Sequence, residues 1–360
     1  MHERGESRLA ASKRSGEGGR EEPFQKEIPP LPNPLLPPAS EREGELTPSA
    51  FAPQSDNMLV LATPGIPLHF VLPLASAVVY VVAALFLKRA AEAGVTAWRS
   101  TRVCNSFAAV LFTPLWLLGG QLPDATMWWQ PAVVAFLFLL GQLLTMLALR
   151  SGDVSITTPV LGLKIILVAV FIAALLPERL TPGLWIAAVL SSAGIVLLQF
   201  GRPSSGSKVG ANILLAGLAA GAYALFDVLV QKWAPAWGAG RFLPLMMGLA
   251  ALYSLPFGWT RPTTDAPSSK HATLALLAGA VCLAVQAIMF VSSIAIYHQA
   301  AVSNVLYSSR GLWSVLAVWL VGHWFGNRER HQGARILLWR FLGTILLMIA
   351  IMIVLRETRP

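Results

Sequence analysis

Residues 131–149 read PAVVAFLFLLGQLLTMLAL, a run with no charged side chain from Pro131 to Leu149. A helix needs roughly 20 apolar residues to cross the hydrocarbon core of a bilayer. In that medium the backbone must satisfy its own hydrogen bonds, which a helix does within one segment. The run is too long and too uniform for a half-buried strand. It reads as a transmembrane helix. Nine further segments share its character, at 69–87, 103–118, 155–176, 182–200, 211–231, 242–258, 272–296, 300–322 and 336–355. The gaps between them are short, so successive helices must run antiparallel. Two starts are soft, at Thr157, Thr158 and Pro159 and at Ser303 and Asn304. The predicted fold class is an all-α polytopic membrane protein of ten transmembrane helices.

Composition agrees with this reading. Hydrophobic residues make up 55% of the 360 and charged residues only 12%. A soluble domain needs about twice that charged fraction, ~25%, to cover its surface. The net charge of +9 is not a nucleic-acid stripe, because the basic residues sit in the gaps between apolar runs, as membrane-flanking loops do. Cys104 and Cys282 both lie inside apolar runs and form no CxxC pattern, so they read as small buried hydrophobes and not as a disulfide or metal framework. No metal and no cofactor is expected.

The first 57 residues are different. Pro-rich stretches (Ile28 to Pro32, Pro37 and Pro38) alternate with Gly-, Glu- and Arg-rich ones. Such a segment buries too little apolar surface to offset its ordering entropy and is expected to be disordered. It lacks the basic-then-apolar order of a signal peptide. The expectation is that the natural chain starts at Met58, which N-terminal sequencing checks.

An internal repeat emerges when the chain is divided at the Ser/Gly-rich link 201–210. The first half is then 67–201, the linker 202–210 and the second half 211–356. Tyr80 and Tyr223 lie 143 residues apart, Pro114 and Pro256 142, Lys164 and Arg310 146, and Glu178 and Glu329 151. The offset grows slowly, as loop insertions would make it do. Five helices per half place the second half upside down relative to the first, the inverted-repeat plan of many secondary transporters.

The runs flanking the fourth segment are informative beyond their hydropathy. Ala148 to Ser155 (ALRSGDVS), then an apolar helix closed by Pro177-Glu178-Arg179-Leu180-Thr181, with Gly194 in the next helix, resemble the EamA-type drug/metabolite transporter superfamily. Gln299 to Ser303, Trp324 to Glu329 and Gly343 repeat the pattern more loosely. The resemblance covers about 67–356. It implies a ten-helix carrier with both termini cytoplasmic, and it leaves the cargo open among amino acids, drugs, sugars, nucleotide sugars and phosphorylated metabolites. Charge counting pulls the other way. With the N-terminus inside, the cytoplasmic gaps and C-terminus hold only Arg179, Lys232, Arg241, Arg356 and Arg359, against more than twice as many Lys and Arg on the opposite side, and the positive-inside rule then places both termini outside. Orientation stays open.

Buried polar groups mark candidate sites, since a charge at a helix centre costs about 2.5–3.5 kcal/mol even on the gentler scales. Lys164 and Arg310 fall near the middle of the fourth and ninth segments. Asp227 is the acid well inside a span, and at its depth it can reach one of the two cations but not both. A surplus positive charge then remains, favouring an anionic or zwitterionic solute. Lys164 and Arg310 are candidates for substrate contact, with internal struts as the other role, and Asp227 for a structural pair or for proton coupling. Gln142 and Gln286, Tyr80 and Tyr223, and Asn304 complete the candidate substrate-binding set, each with helix packing as its alternative. Pro114, Pro244 and Pro256 interrupt the short second and seventh segments, a pattern that points to a moving gate. Gly217 and Gly221 form a GxxxG that suits close helix contact. Trp128, Trp129, Trp233, Trp237 and Trp324 sit at span ends as interfacial anchors, and His298 and His323 there read as interfacial.

The function expected is a secondary carrier in the cell membrane, working by alternating access on a small organic solute, with a proton or counter-solute as possible co-substrate and a monomer or homodimer as its assembly. HExxH, GxSxG and Walker loops are absent from the sequence, as are paired intramembrane aspartates, which argues against an enzyme or an ATP-driven pump. A symmetric channel suits the asymmetric charge poorly. The alternative of another class is a non-transporting scaffold or receptor.

Overall fold

The computed structural model describes residues 67–151, 154–199, 209–258, 269–321 and 334–357. The tail, most of the link after the first half, and His323, Trp324 and Glu329 lie outside the described residues. All regular structure described is helical. In chain order the α-helices are α1 Leu68–Glu92, α2 Ala97–Phe112, α3 Trp129–Ser151, α4 Val154–Gly162, α5 Lys164–Leu175, α6 Pro182–Gln199, α7 Val209–Trp237, α8 Ala239–Ser254, α9 Lys270–Tyr297, α10 Ala300–Tyr307, α11 Arg310–Val321 and α12 Ala334–Glu357. Each falls on one of the predicted apolar segments. Among the described residues seven helical stretches are long and apolar enough to cross a membrane, and Pro182–Leu198 is apolar but shorter.

Local chemistry sets the boundaries. Thr96 caps α2 by accepting from the Arg99 amide at 3.4 Å, and Ser269 caps α9 through the Ala272 amide at 3.2 Å. Pro114 and Pro256 fall where α2 and α8 tighten into 3-10 turns, at Thr113–Leu118 and Leu255–Gly258. A proline ring cannot donate to the preceding turn, so the α-ladder stops at both places. His298 adopts a left-handed conformation (φ 55°) and its amide closes α9 on the Ile294 carbonyl, so that α10 starts only two residues later.

Packing follows a crossed pattern. α1 runs antiparallel to α9: Leu87, Ala90 and Val95 at its end pack on Ala272, Ala275 and Leu276 at the start of α9, while His69 stacks on Tyr297 at the other end. α3 pairs in the same way with α7, with Trp129 against Trp233 at 5.0 Å. α2 meets α8 and α9, and α8 meets α3. α6 lies against α12, where a Cβ on Gly194 would come 2.9 Å from the Gly343 carbonyl oxygen and one on Gly343 2.7 Å from that of Gly194. This reciprocal glycine contact is the close helix approach that small residues permit. The GxxxG of α7 does not serve so: a Cβ on Gly217 would meet only Val160, at 4.0 Å, and one on Gly221 would meet nothing. Ala216 and Ala220, beside them, are the buried residues there.

The largest buried side chains, Trp237, Phe112, Phe242, Met246 and Met247, gather where α2, α7 and α8 meet. Outward, Leu117, Val110, Leu214 and Phe341 stand 91%, 69%, 63% and 62% exposed. Apolar surface of that extent is untenable in water and natural in lipid.

Candidate functional site

Two helices are interrupted, and the interruptions face each other. The first breaks at Leu163, where the Leu163 amide reaches back three residues to Val160 instead of four. Pro159 inside α4 lacks an amide for the ladder, and Gly162 lets α6 approach, since a Cβ there would sit 2.7 Å from the Ile195 Cγ2. The second break spans Ser308 and Ser309. The Ser308 hydroxyl donates to the Val305 carbonyl at 2.6 Å, a local bond that competes with the helix, and the Gly311 amide bonds the Ser308 carbonyl. Immediately after each break stands a cation: Lys164 is the first residue of α5 and Arg310 the first of α11.

Both breaks line one small cavity of about 10 Å³, bordered by Gly162, Lys164, Ile195, Asn304, Tyr307 and Arg310. That volume holds about one water, so this conformation leaves no room for a metabolite there.

The cations are treated differently. The Lys164 Nζ lies 2.7 Å from the Asp227 Oδ2. The same oxygen accepts from the Asn304 Nδ2 at 2.7 Å, and that amide nitrogen also donates to the Ala300 carbonyl at 2.9 Å. Asp227 Oδ1 is buried with no partner among the described residues. Arg310 has no carboxylate partner among them. Its guanidinium instead lies over Tyr307 and Tyr80, 4.6 and 5.1 Å from the ring centroids, within cation–π range. Lys164 is likewise flanked by Phe290 at 5.2 Å and Tyr223 at 5.9 Å. The cluster therefore carries two positive charges, one negative charge and an aromatic wall.

Of the residues singled out from sequence, Lys164, Arg310, Asp227, Asn304, Tyr80 and Tyr223 come together here. Gln142 does not: it exchanges two hydrogen bonds with Asn105, at 3.0 and 3.1 Å, tying α3 to α2. Gln286 is buried on α9, four residues before Phe290. Tyr307, Phe290 and Ser308 complete the cluster and were not singled out from sequence. The run Tyr307-Ser308-Ser309-Arg310, polar inside an apolar segment, was the available signal.

A second polar link ties the ends of the site together. Gln231 donates to Glu178 at 2.9 Å and accepts from the Ala300 amide at 2.8 Å, joining α7 to the start of α10. Burial pulls the nearby His298 imidazole below the ordinary histidine value, against the raising influence of the Glu178 carboxylate.

Apolar helices of spanning length around a buried, charged cluster define an integral, multi-pass membrane protein. Residues 63–200 match the profile of the EamA-like transporter family. The match supports, over those residues, the resemblance to the EamA-type drug/metabolite transporters read in the sequence. A comparison with curated proteins finds none that matches. Among solved structures the fold resembles a crystal structure of a protein 17% identical in sequence, with a TM-score of 0.59, over 80% of this chain and 99% of that one.

Proposed function

We propose that this chain is a secondary carrier of ten spans, built as two inverted five-helix repeats, that moves a small organic anion or zwitterion across the cell membrane by alternating access. The repeat is supported by contacts that recur with the halves exchanged. α1 packs on α9 as α7 packs on α3, and α2 meets α9 as α8 meets α3. Helix breaks at Leu163 and Ser308, and proline turns at Pro114 and Pro256, sit at corresponding places. Tyr80 of the first half covers Arg310 of the second, and Tyr223 of the second lies beside Lys164 of the first.

The observation that carries the substrate class is the charge count at the cavity: two cations, each at the start of a half-helix, with one carboxylate between them. Positive helix-start dipoles add to the unbalanced charge. An anionic group is what this site lacks. Opening must come from relative motion of the halves, since the cavity seats only water.

A thermal-shift screen of the purified chain against a metabolite panel tests this, because a ligand that binds the folded state stabilises it in proportion to occupancy. Organic anions are expected to stabilise it and to be taken up by proteoliposomes. If Lys164→Ala and Arg310→Ala both leave uptake of the substrate unchanged, the site is elsewhere.

A further inference from the structure

We propose that Asp227 is a proton-binding site whose loading is set by the charge of the cargo: a dianion seated on both Lys164 and Arg310 brings one proton onto Asp227, and a monoanion brings none. The inference rests on the anion-carrier reading above. It begins with the unequal use of the two Asp227 oxygens. Oδ2 takes both Lys164 and Asn304, while Oδ1 is buried with no partner among the described residues. Asp227 is fully buried. The titratable and charged groups facing it are Lys164 from α5, Arg310 from α11, Tyr307 from α10, Tyr80 from α1 and Tyr223 from α7. Among the described residues α3, α4, α8 and α9 bring no further charge to the cluster.

At rest the cluster sums to +1: Lys164 and Arg310 positive, Asp227 negative. A monoanion on Arg310 brings the sum to zero and leaves the Lys164–Asp227 pair intact. A dianion demands both cations. Drawing Lys164 away leaves the fully buried Asp227 with a single neutral hydrogen bond, from Asn304. A buried charge stripped of its partner is strongly unfavourable. The net charge with dianion and ionised Asp227 would be −1; one proton from solvent on Oδ1 returns it to zero. The step makes one O–H bond and moves no other group. Oδ1 is the receiving atom because, of the two carboxylate oxygens, it is the one with no partner among the described residues. Cargo charge and proton count are thereby linked through one carboxylate, so that a dianion travels as proton plus dianion.

Sulfate and nitrate separate the two cases, since neither titrates near neutral pH. The purified full-length chain is perfused with sodium sulfate or sodium nitrate at equal ionic strength, and infrared difference spectra and proton uptake from a weakly buffered medium are recorded. Sulfate is expected to produce a protonated-carboxyl band, matched by uptake of about one proton per site, and nitrate neither. The band should shift on ¹³C-aspartate labelling of the native sequence, so its assignment does not depend on whether Asp227→Asn folds; where that variant folds, the band should vanish. Sulfate that stabilises the protein against heat without band or proton uptake overturns the inference and leaves the anion reading standing, as does an equal proton uptake with nitrate. Absence of any stabilisation or spectral change with either anion removes both.

Discussion

Lys164 and Arg310 illustrate how two buried cations differ once their neighbours are known. Lys164 has 16% of its side chain accessible and is neutralised by Asp227. Removing one member strands the other in a dry site, which costs about 3–5 kcal/mol, whereas replacing both by apolar groups of similar size is often near neutral. Lys164→Met and Asp227→Asn are each expected to lower stability by that order, and Lys164→Met with Asp227→Leu to recover most of it. A double-mutant cycle by thermal melting in detergent measures the coupling; additive losses would mean the pair is not formed. Arg310 depends on a flat cation between rings. Lys in its place keeps the charge but loses the stacking on Tyr307 and Tyr80, a contact of about 1–2 kcal/mol when desolvated. Arg310→Lys should therefore raise the apparent KM for the anion by roughly tenfold while leaving the melting temperature within a few degrees. An unchanged KM would show that the guanidinium is not a substrate contact.

At the scale of the element, helices joined by glycine contact are the most exposed to substitution. Gly194 on α6 and Gly343 on α12 each sit against the other's carbonyl oxygen. A methyl at either position forces the helices apart, and over-packing of this kind costs typically 1–3 kcal/mol. Because both changes widen one interface, Gly194→Ala with Gly343→Ala should cost clearly less than the sum of the singles; a strictly additive result in thermal melts would count against a shared contact. Gly217→Ala, by contrast, should be tolerated within about 0.5 kcal/mol, since only Val160 lies within reach of the new Cβ. The two cases show what the sequence could convey. Hydropathy runs located each described helix, with ends up to about six residues off as at the start of α2 and the end of α7, because span length is imposed by the bilayer and not by the partner helix. Which small residues touch depends on the crossing angle, and the GxxxG spacing says nothing of that. The breaks at Leu163 and Ser308 were likewise only half visible: Pro159 and Asn304 softened the helix starts, but the interruption falls later, where Gly162 and the Ser308 hydroxyl act. The cationic pair was legible because charge in an apolar run stands out. Half of its aromatic wall was legible too, in Tyr80 and Tyr223, but Tyr307 and Phe290 were not, because they look like any other apolar lining.

For the whole molecule, a site open to one side at a time requires that both ends can close. On the carrier reading proposed above, one end is sealed where α2, α3, α7 and α8 meet. Trp128 packs on Trp237 at 5.8 Å, Trp129 on Trp233 at 5.0 Å, the Trp237 indole donates to Gln130 at 2.9 Å, and Arg241 lies over Trp116 at 4.9 Å. The opposite end is sealed by the smaller cluster of Leu87, Ala90 and Val95 on Ala272, Ala275 and Leu276. Alternating access then predicts that fixing either seal stops net transport, because the cavity must open in turn to each side. In a background of Cys104→Ser and Cys282→Ser, Trp129→Cys with Trp233→Cys, and separately Ala90→Cys with Ala272→Cys, would be bridged by a short bifunctional thiol reagent with a reducible spacer. Uptake into proteoliposomes should fall to background for each bridged pair and return on reduction, while each single-cysteine variant treated alike keeps its rate. A channel opens by a single gate, so a bridge at the other end would leave flux intact. Loss at both ends is the result that separates a carrier from a pore, and full flux after bridging either one would rule out alternation.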